Sequence, residues 1–201
     1  MNVQLYYTIY LCWILWCCVT FFMNRSPIQY CCSISLLLFL VLLPHELILY
    51  DFPVQLAFVL LLFVGIVLAI HQQLRIKQYL LIAMMGYLYT IYFLWRLITP
   101  VFNDRTFIAA AVLIGVLILV FLSRDLMVQV TLLINAVCFG QLLYSLICYS
   151  YHLQYSMDPL YGFQIVLTIL TVLTVRKCWL QGIRRIEQYI QALKIKKRWH
   201  V

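Results

Sequence analysis

The sequence predicts an all-α integral membrane protein, a bundle of about seven transmembrane helices followed by a basic amphipathic helix at the C-terminus. Three observations predict it. Hydrophobic residues make up 66% of the 201 and charged residues 10%, at a mean hydropathy of +1.01, whereas a soluble domain carries about 25% charged residues. No soluble core of this size buries so much apolar surface, so the bilayer must be the solvent. Seven apolar runs come near the roughly 17 to 25 residues that a helix needs to cross a ~30 Å hydrocarbon layer. Basic residues fall almost entirely in alternate loops between those runs.

The runs are Leu5 to Met23, Tyr30 to Tyr50, Val54 to Ile70, Tyr79 to Leu97, Thr106 to Leu122, Leu126 to Tyr149 and Leu160 to Val175. Helices are the expected conformer, because lipid offers backbone N–H and C=O groups no partner and the runs lack the strict alternation of barrel strands. The fifth and seventh are short, so Arg105, Arg124 and Arg176 are expected to snorkel at their ends. The second is interrupted by Pro44, His45 and Glu46, which places the helix end near Leu43 and Leu47 to Tyr50 at the interface. Residues 1 to 23 have no basic n-region and no small-x-small cleavage site, so they read as a retained first helix rather than a signal peptide. Residues 1–175 thus form the membrane domain and 176–201 a cytosolic basic amphipathic helix.

With the C-terminus inside, twelve of the 14 basic residues face the cytosol: Arg25, Arg75, Lys77, Arg124 and the eight from Arg176 onward. Only Arg96 and Arg105 remain outside, together with Glu46, Asp51, Asp104 and Asp158. This asymmetry orients the N-terminus outside and the C-terminus in the cytosol of a cell membrane. No ionisable residue falls at the centre of a run, which argues against a proton pump, a voltage sensor or a retinal protein. Arg96 lies near Pro100 at a helix end, where snorkelling accounts for it.

Uncharged polar residues are better organised. Thr131, Asn135, Cys138, Gln141 and Ser145 recur at helical spacing on the sixth helix, and Gln164, Thr168 and Thr171 on the seventh. Asn135, Gln141, Gln164 and Thr168 are the candidate lining of a polar cavity between these two helices; the alternative is interhelical glue, the commoner use of such residues in lipid. Ala111 with Gly115, and Gly65 with Ala69, repeat a small-xxx-small spacing that reads as packing.

Cys17, Cys18, Cys31 and Cys32 meet across the first hairpin and would suit Zn or Cu(I), but adjacent cysteines diverge on a helix and Cys is a common packing residue, so no metal or cofactor is assigned. His45, Glu46, Asp51, Asp104, His152 and Asp158 share the outer rim, yet no catalytic motif accompanies them and no catalytic residue is named. In the tail, Trp179, Ile183, Ile186, Ile190 and Leu193 form an apolar stripe at spacings of 4, 3, 4 and 3. Arg184, Arg185, Lys194, Lys196, Lys197 and Arg198 flank it as candidate contacts to anionic lipid at the membrane surface. Nucleic acid is not the expected partner, since stacking aromatics there are limited to Tyr189 and Trp199.

A weak internal likeness relates helices 1 to 3 to helices 5 to 7: Phe22 to Ser26 is similar to Phe121 to Asp125, as in parallel-repeat transporters, although the offsets range from 99 to 107 residues. The aromatic first helix with Trp13, Trp16 and Thr20 to Met23, the tight loop around Arg124, and Gln141 to Tyr144 together resemble the YphA-like multi-pass membrane proteins of endospore-forming Gram-positive bacteria. That resemblance implies an integral cell-membrane protein and carries over no catalytic residue. The expected function is a structural or interaction component of the membrane, related to the envelope or to sporulation where the resemblance holds. Small-solute or lipid transport through a cavity between helices 6 and 7 is the alternative, and a lipid-modifying enzyme comes behind both.

Overall fold

A computed structural model describes residues 3–22, 27–49, 52–99, 104–123, 125–151 and 160–198. These residues form seven helices and one two-stranded ribbon: α1 (Val3–Phe22), α2 (Pro27–Leu42), β1 (Glu46–Leu49), β2 (Phe52–Gln55), α3 (Leu56–Gln72), α4 (Ile76–Ile98), α5 (Asp104–Leu122), α6 (Leu126–Ser150) and α7 (Leu160–Arg198). Among the described residues, three segments are long and apolar enough to cross a membrane, Ile76–Leu97, Leu126–Ser150 and Leu160–Leu180. Leu5–Phe21, Gln29–Leu42, Leu56–Gln72 and Thr106–Leu122 are apolar but shorter.

Helix boundaries follow local chemistry. Pro44 has no N–H to continue α2, which ends at Leu42, and the His45 N–H closes back on the Leu42 carbonyl at 3.1 Å. Beyond it the chain runs extended. It pairs antiparallel, Glu46 with Gln55 and Leu49 with Phe52, and this ribbon takes up the residues before Leu56 so that α3 starts later than the hydropathy suggests. Gln73 ends α3 in the left-handed region at φ 46°, its N–H bonded to the Ile70 carbonyl. Gln78 Oε1 accepts from the Arg75 N–H at 2.8 Å and starts α4 three residues ahead of the apolar run. Asp125 caps α6 by accepting from the Met127 N–H at 3.3 Å.

At the centre stands α6, packed against α3, α4, α5 and α7. One core joins α4, α5, α6 and α7 through Phe93, Leu119, Leu133, Tyr144, Val166 and Ile169. A second joins α1, α2, α3 and α7 through Cys12, Phe39, Ala57, Phe163 and Leu167. The main partner of α7 is α1, while α2 rests on α1 and α3 at the periphery. There Tyr30, Ile34, Leu37, Leu38 and Val41 are exposed, an apolar face that a bilayer would cover. No break separates the apolar part of α7 from the basic tail: the helix runs 39 residues, about 58 Å, straight through the 175/176 boundary.

Candidate functional site

Among the described residues the most extensive contact between helices is that of α4 with α6, and two glycines allow their backbones to approach. A Cβ on Gly140 would lie 2.8 Å from the Gly86 carbonyl oxygen, and one on Gly86 would lie 2.5 Å from Phe139 Cδ1 and 3.0 Å from the Ala136 oxygen. Thr90, 3% exposed, bridges the crossing with Oγ1 at 2.9 Å from the Gly140 carbonyl and 3.0 Å from that of Gly86. In an apolar solvent such backbone proximity and shared hydroxyl bonding are what hold helices together.

Around this crossing the polar side chains of α6 diverge. Asn135 Nδ2 donates to the Gly65 carbonyl of α3 at 2.9 Å and to the Thr131 carbonyl at 2.8 Å, so its amide is directed at α3. Gly65 permits this approach, because a Cβ there would meet Asn135 Oδ1 at 3.2 Å. Gln141 Oε1 accepts from the Tyr89 hydroxyl of α4 at 3.0 Å. Gly162 of α7 sits over that pair: its Cβ would lie 2.5 Å from the Tyr89 oxygen and 3.8 Å from Gln141 Oε1. Gln141 therefore marks the meeting of α4, α6 and α7.

Gln164 and Thr168 do not join it. Gln164 follows Gly162 by two residues, about 200° round the helix axis. Thr168 and Thr171 return their hydroxyls to the carbonyls of Gln164 and Leu167 at 2.6 and 2.7 Å. The Gln164 Oε1 is buried with no hydrogen-bond partner. Of the four residues read as one cavity lining, Asn135 thus faces α3, Gln141 faces α4 and α7, and Gln164 and Thr168 occupy another side of α7.

An aromatic cluster gathers where α4 ends and α5 and α7 begin. Tyr92 stacks on Phe107 at 3.8 Å between centroids and donates its hydroxyl to the Phe107 carbonyl. Phe93 meets Tyr89, Phe107 and Tyr144. Over these rings lies Arg96, half-buried, its guanidinium carbon 3.8 Å from the Tyr161 centroid and 5.5 Å from that of Phe107. Snorkelling alone does not describe this residue: it makes cation–π contacts to two other helices. The available signal is the Tyr92 to Arg96 spacing of four, which puts ring and cation on one face, but many helix ends share it.

Two glutamines missed by pattern reading close hairpins by the same device. Gln29 Nε2 donates back to the Val19 and Thr20 carbonyls at 3.2 and 2.8 Å. Gln129 Nε2 donates to the Leu119 and Ser123 carbonyls at 3.2 and 2.5 Å. Gln29 and Gln129 are 100 residues apart, as are Val19 and Leu119, and Phe21 and Phe121 are exposed beside them. The α1–α2 and α5–α6 hairpins therefore share one contact, a Gln amide on the carbonyl ten residues before it, while their second acceptors differ, nine residues back at Thr20 and six at Ser123. Arg25 and Arg124, on which the sequence likeness rested, lie outside the described residues.

Among the described residues no group of three or more His, Cys, Asp or Glu side chains could hold a metal. Cys17 and Cys31 are exposed and free, Cys18 and Cys32 half-buried and free. His45 and Glu46 are exposed at the base of the ribbon, whereas Asp51, His152, Asp158 and the side chain of Asp104 lie outside the described residues. The same holds for the side chains of Arg184, Arg185, Lys194, Lys196, Lys197 and Arg198, although the backbone there is helical.

A family model described as YphA-like integral membrane protein matches residues 4–199, nearly the whole chain. The chain belongs to this family. Membership makes it an integral membrane protein, in keeping with its apolar helices. No curated protein and no solved structure matches the chain.

Proposed function

We propose that this protein is a structural or interaction component of the cell membrane, a seven-span bundle with its N-terminus outside and its C-terminus in the cytosol. One observation carries the reading: the polar side chains of α6 are engaged by neighbouring helices, Asn135 by the Gly65 carbonyl and Gln141 by the Tyr89 hydroxyl. Residues used in this way are glue, and the transport alternative draws no support from their geometry. The four shorter helices cross by tilting little and by local thinning of the bilayer, at a fraction of a kcal/mol per Å of mismatch. An envelope or sporulation role follows from the family likeness alone.

The basic tail is the second part of the proposal. Arg176, Lys177, Arg184 and Arg185 fall at or just beyond the inner headgroups and attract anionic lipid, each by about 1 kcal/mol. Lys194, Lys196, Lys197 and Arg198 follow about 20 Å or more along the axis from Leu180, beyond a Debye length of ~8 Å, and contribute weakly unless the tail bends to the surface.

Two measurements test the reading. A reporter fused after Val201 should be cytosolic and one inserted near Tyr155 external; both on one side would overturn the topology. Asn135→Leu should lower stability by about 1 kcal/mol with normal insertion. Full loss of a cellular phenotype at unchanged abundance and stability would favour a transport or catalytic role instead.

A further inference from the structure

Cys18 of α1 and Cys178 of α7 lie on the facing sides of two packed helices. On α1, Leu11, Leu15 and Cys18 follow one another at spacings of 4 and 3, and on α7, Leu167, Leu170, Thr174 and Cys178 at spacings of 3, 4 and 4, so each cysteine continues one face of its helix. Those faces are packed. Leu11 and Leu167 share the second core, Leu15 and Leu170 the first, and α1 is the main partner of α7. The shared residues run in the same order on both helices, which brings the end of α1 alongside Arg176, where the basic tail starts. The α2 helix lies elsewhere: Thr20, about 200° round α1 from Cys18, meets Ser33 at 3.3 Å. Packed helix axes stand 8 to 10 Å apart, so facing Cα atoms on radii of 2.3 Å approach to about 3.4 to 5.4 Å. A disulfide spans roughly 4.4 to 6.8 Å between Cα atoms. Both thiols are free and half-buried, and they are near enough to interact electrostatically.

We propose that Cys18 and Cys178 form a reversible disulfide in response to peroxide, a switch that fastens the tail of α7 to α1. The proposal rests on the cytosolic placement of this end given above. The cytosol is ordinarily reducing, so the thiols rest free and the bond forms when an oxidant arrives. Cys178 follows Arg176 and Lys177 and is partly exposed, the electropositive setting in which a thiolate reacts. Its sulfur displaces hydroxide from hydrogen peroxide and becomes a sulfenic acid. Cys18 then attacks that sulfur, the S–S bond forms as a second hydroxide leaves, and the two thiol protons turn both hydroxides into water. Two thiols thus give up two electrons and peroxide takes them; a cellular dithiol reverses the step by exchange. Competing thiols are poorly placed. Cys17 is exposed and directed about 100° away from Cys18, Cys31 and Cys32 belong to α2, and Cys12, Cys138 and Cys148 are buried. The link adjoins Arg176 and Lys177, so it holds the tail where it leaves the inner headgroups.

The full wild-type chain in phosphatidylcholine nanodiscs, treated with hydrogen peroxide, should lose two free thiols and yield a peptide linked through Cys18 and Cys178 by mass spectrometry. Dithiothreitol should restore both thiols. Cys18→Ser and Cys178→Ser should each lose the link, and Cys17→Ser should keep it. Hydrogen exchange over residues 176–182 should slow in the oxidised wild type, recover on reduction, and ignore peroxide in Cys178→Ser. The wild-type chain alone decides the linkage, whatever the serine variants do to folding. Thiols that stay free, links through Cys17, Cys31 or Cys32 in equal yield, oxidation of Cys178 to a sulfinic acid without a link, or a link that leaves exchange unchanged each overturns the switch. Nanodiscs open both faces to peroxide, so any of these results leaves the topology standing. A C-terminal reporter found outside removes the cytosolic placement, and the switch with it.

Discussion

Two long helices of this protein solve the same problem in opposite ways. The α6 helix is enclosed by four neighbours, and its polar groups reach backbone carbonyls or hydroxyls on itself, α3 and α4. The lower half of α7 carries as clear an apolar stripe but has Trp179, Ile183 and Ile186 exposed. Glycine makes the contrast sharpest. Gly140 lies where no side chain fits, and Gly182 lies where one would meet nothing within 4 Å. A small residue in a membrane helix is therefore evidence of packing only when its neighbour is known.

Substitutions can break or sharpen this contrast. Gly140→Ala forces a Cβ to within 2.8 Å of the Gly86 carbonyl, so the α4–α6 crossing must separate. The expected cost is about 3 kcal/mol, the upper end of ordinary overpacking, because the obstacle includes backbone. Denaturant titration in mixed micelles measures it, and a loss under 0.5 kcal/mol, on the scale of a surface change, would mean that the crossing is not so close. Arg96→Leu should cost about 1 to 2 kcal/mol by removing cation–π contacts at a half-buried site. Tyr161→Leu in a double-mutant cycle should recover most of that coupling, and additive effects would show that Arg96 acts only by snorkelling. Smallest and opposite in sign is Gly182→Ala, which should stabilise the tail helix by up to about 1 kcal/mol. Hydrogen exchange over residues 176–198 reads this out; faster exchange in the variant would mean that the helix needs its glycine.

Element placement was largely legible because hydropathy and proline act locally. The apolar runs begin within three residues of the seven described helices and Pro44 marked the end of α2, but the seventh run stops at Val175 whereas α7 continues to Arg198. The ribbon from Glu46 to Gln55 escaped because its apolar, partly β-branched residues read equally as helix continuation in a chain this hydrophobic. Partners were not legible at all. Helical spacing put Asn135 and Gln141 on one stripe, yet a stripe about 100° wide lets two residues serve different neighbours, α3 and α4. The same limit hid the Gln29 and Gln129 clasps, whose acceptors lie on the preceding helix or, for Ser123, just past its end, and are visible only after the chain has turned.

The unbroken course of α7 gives it the character of a shaft. A helix of 39 residues without a hinge transmits tilt as well as position. Rocking about the Leu160 end by 10° would sweep the Arg198 end through about 10 Å, given a length near 58 Å. Whatever grips α7 where it packs on α1 is thereby geared to movement of the tail, with no other moving part required.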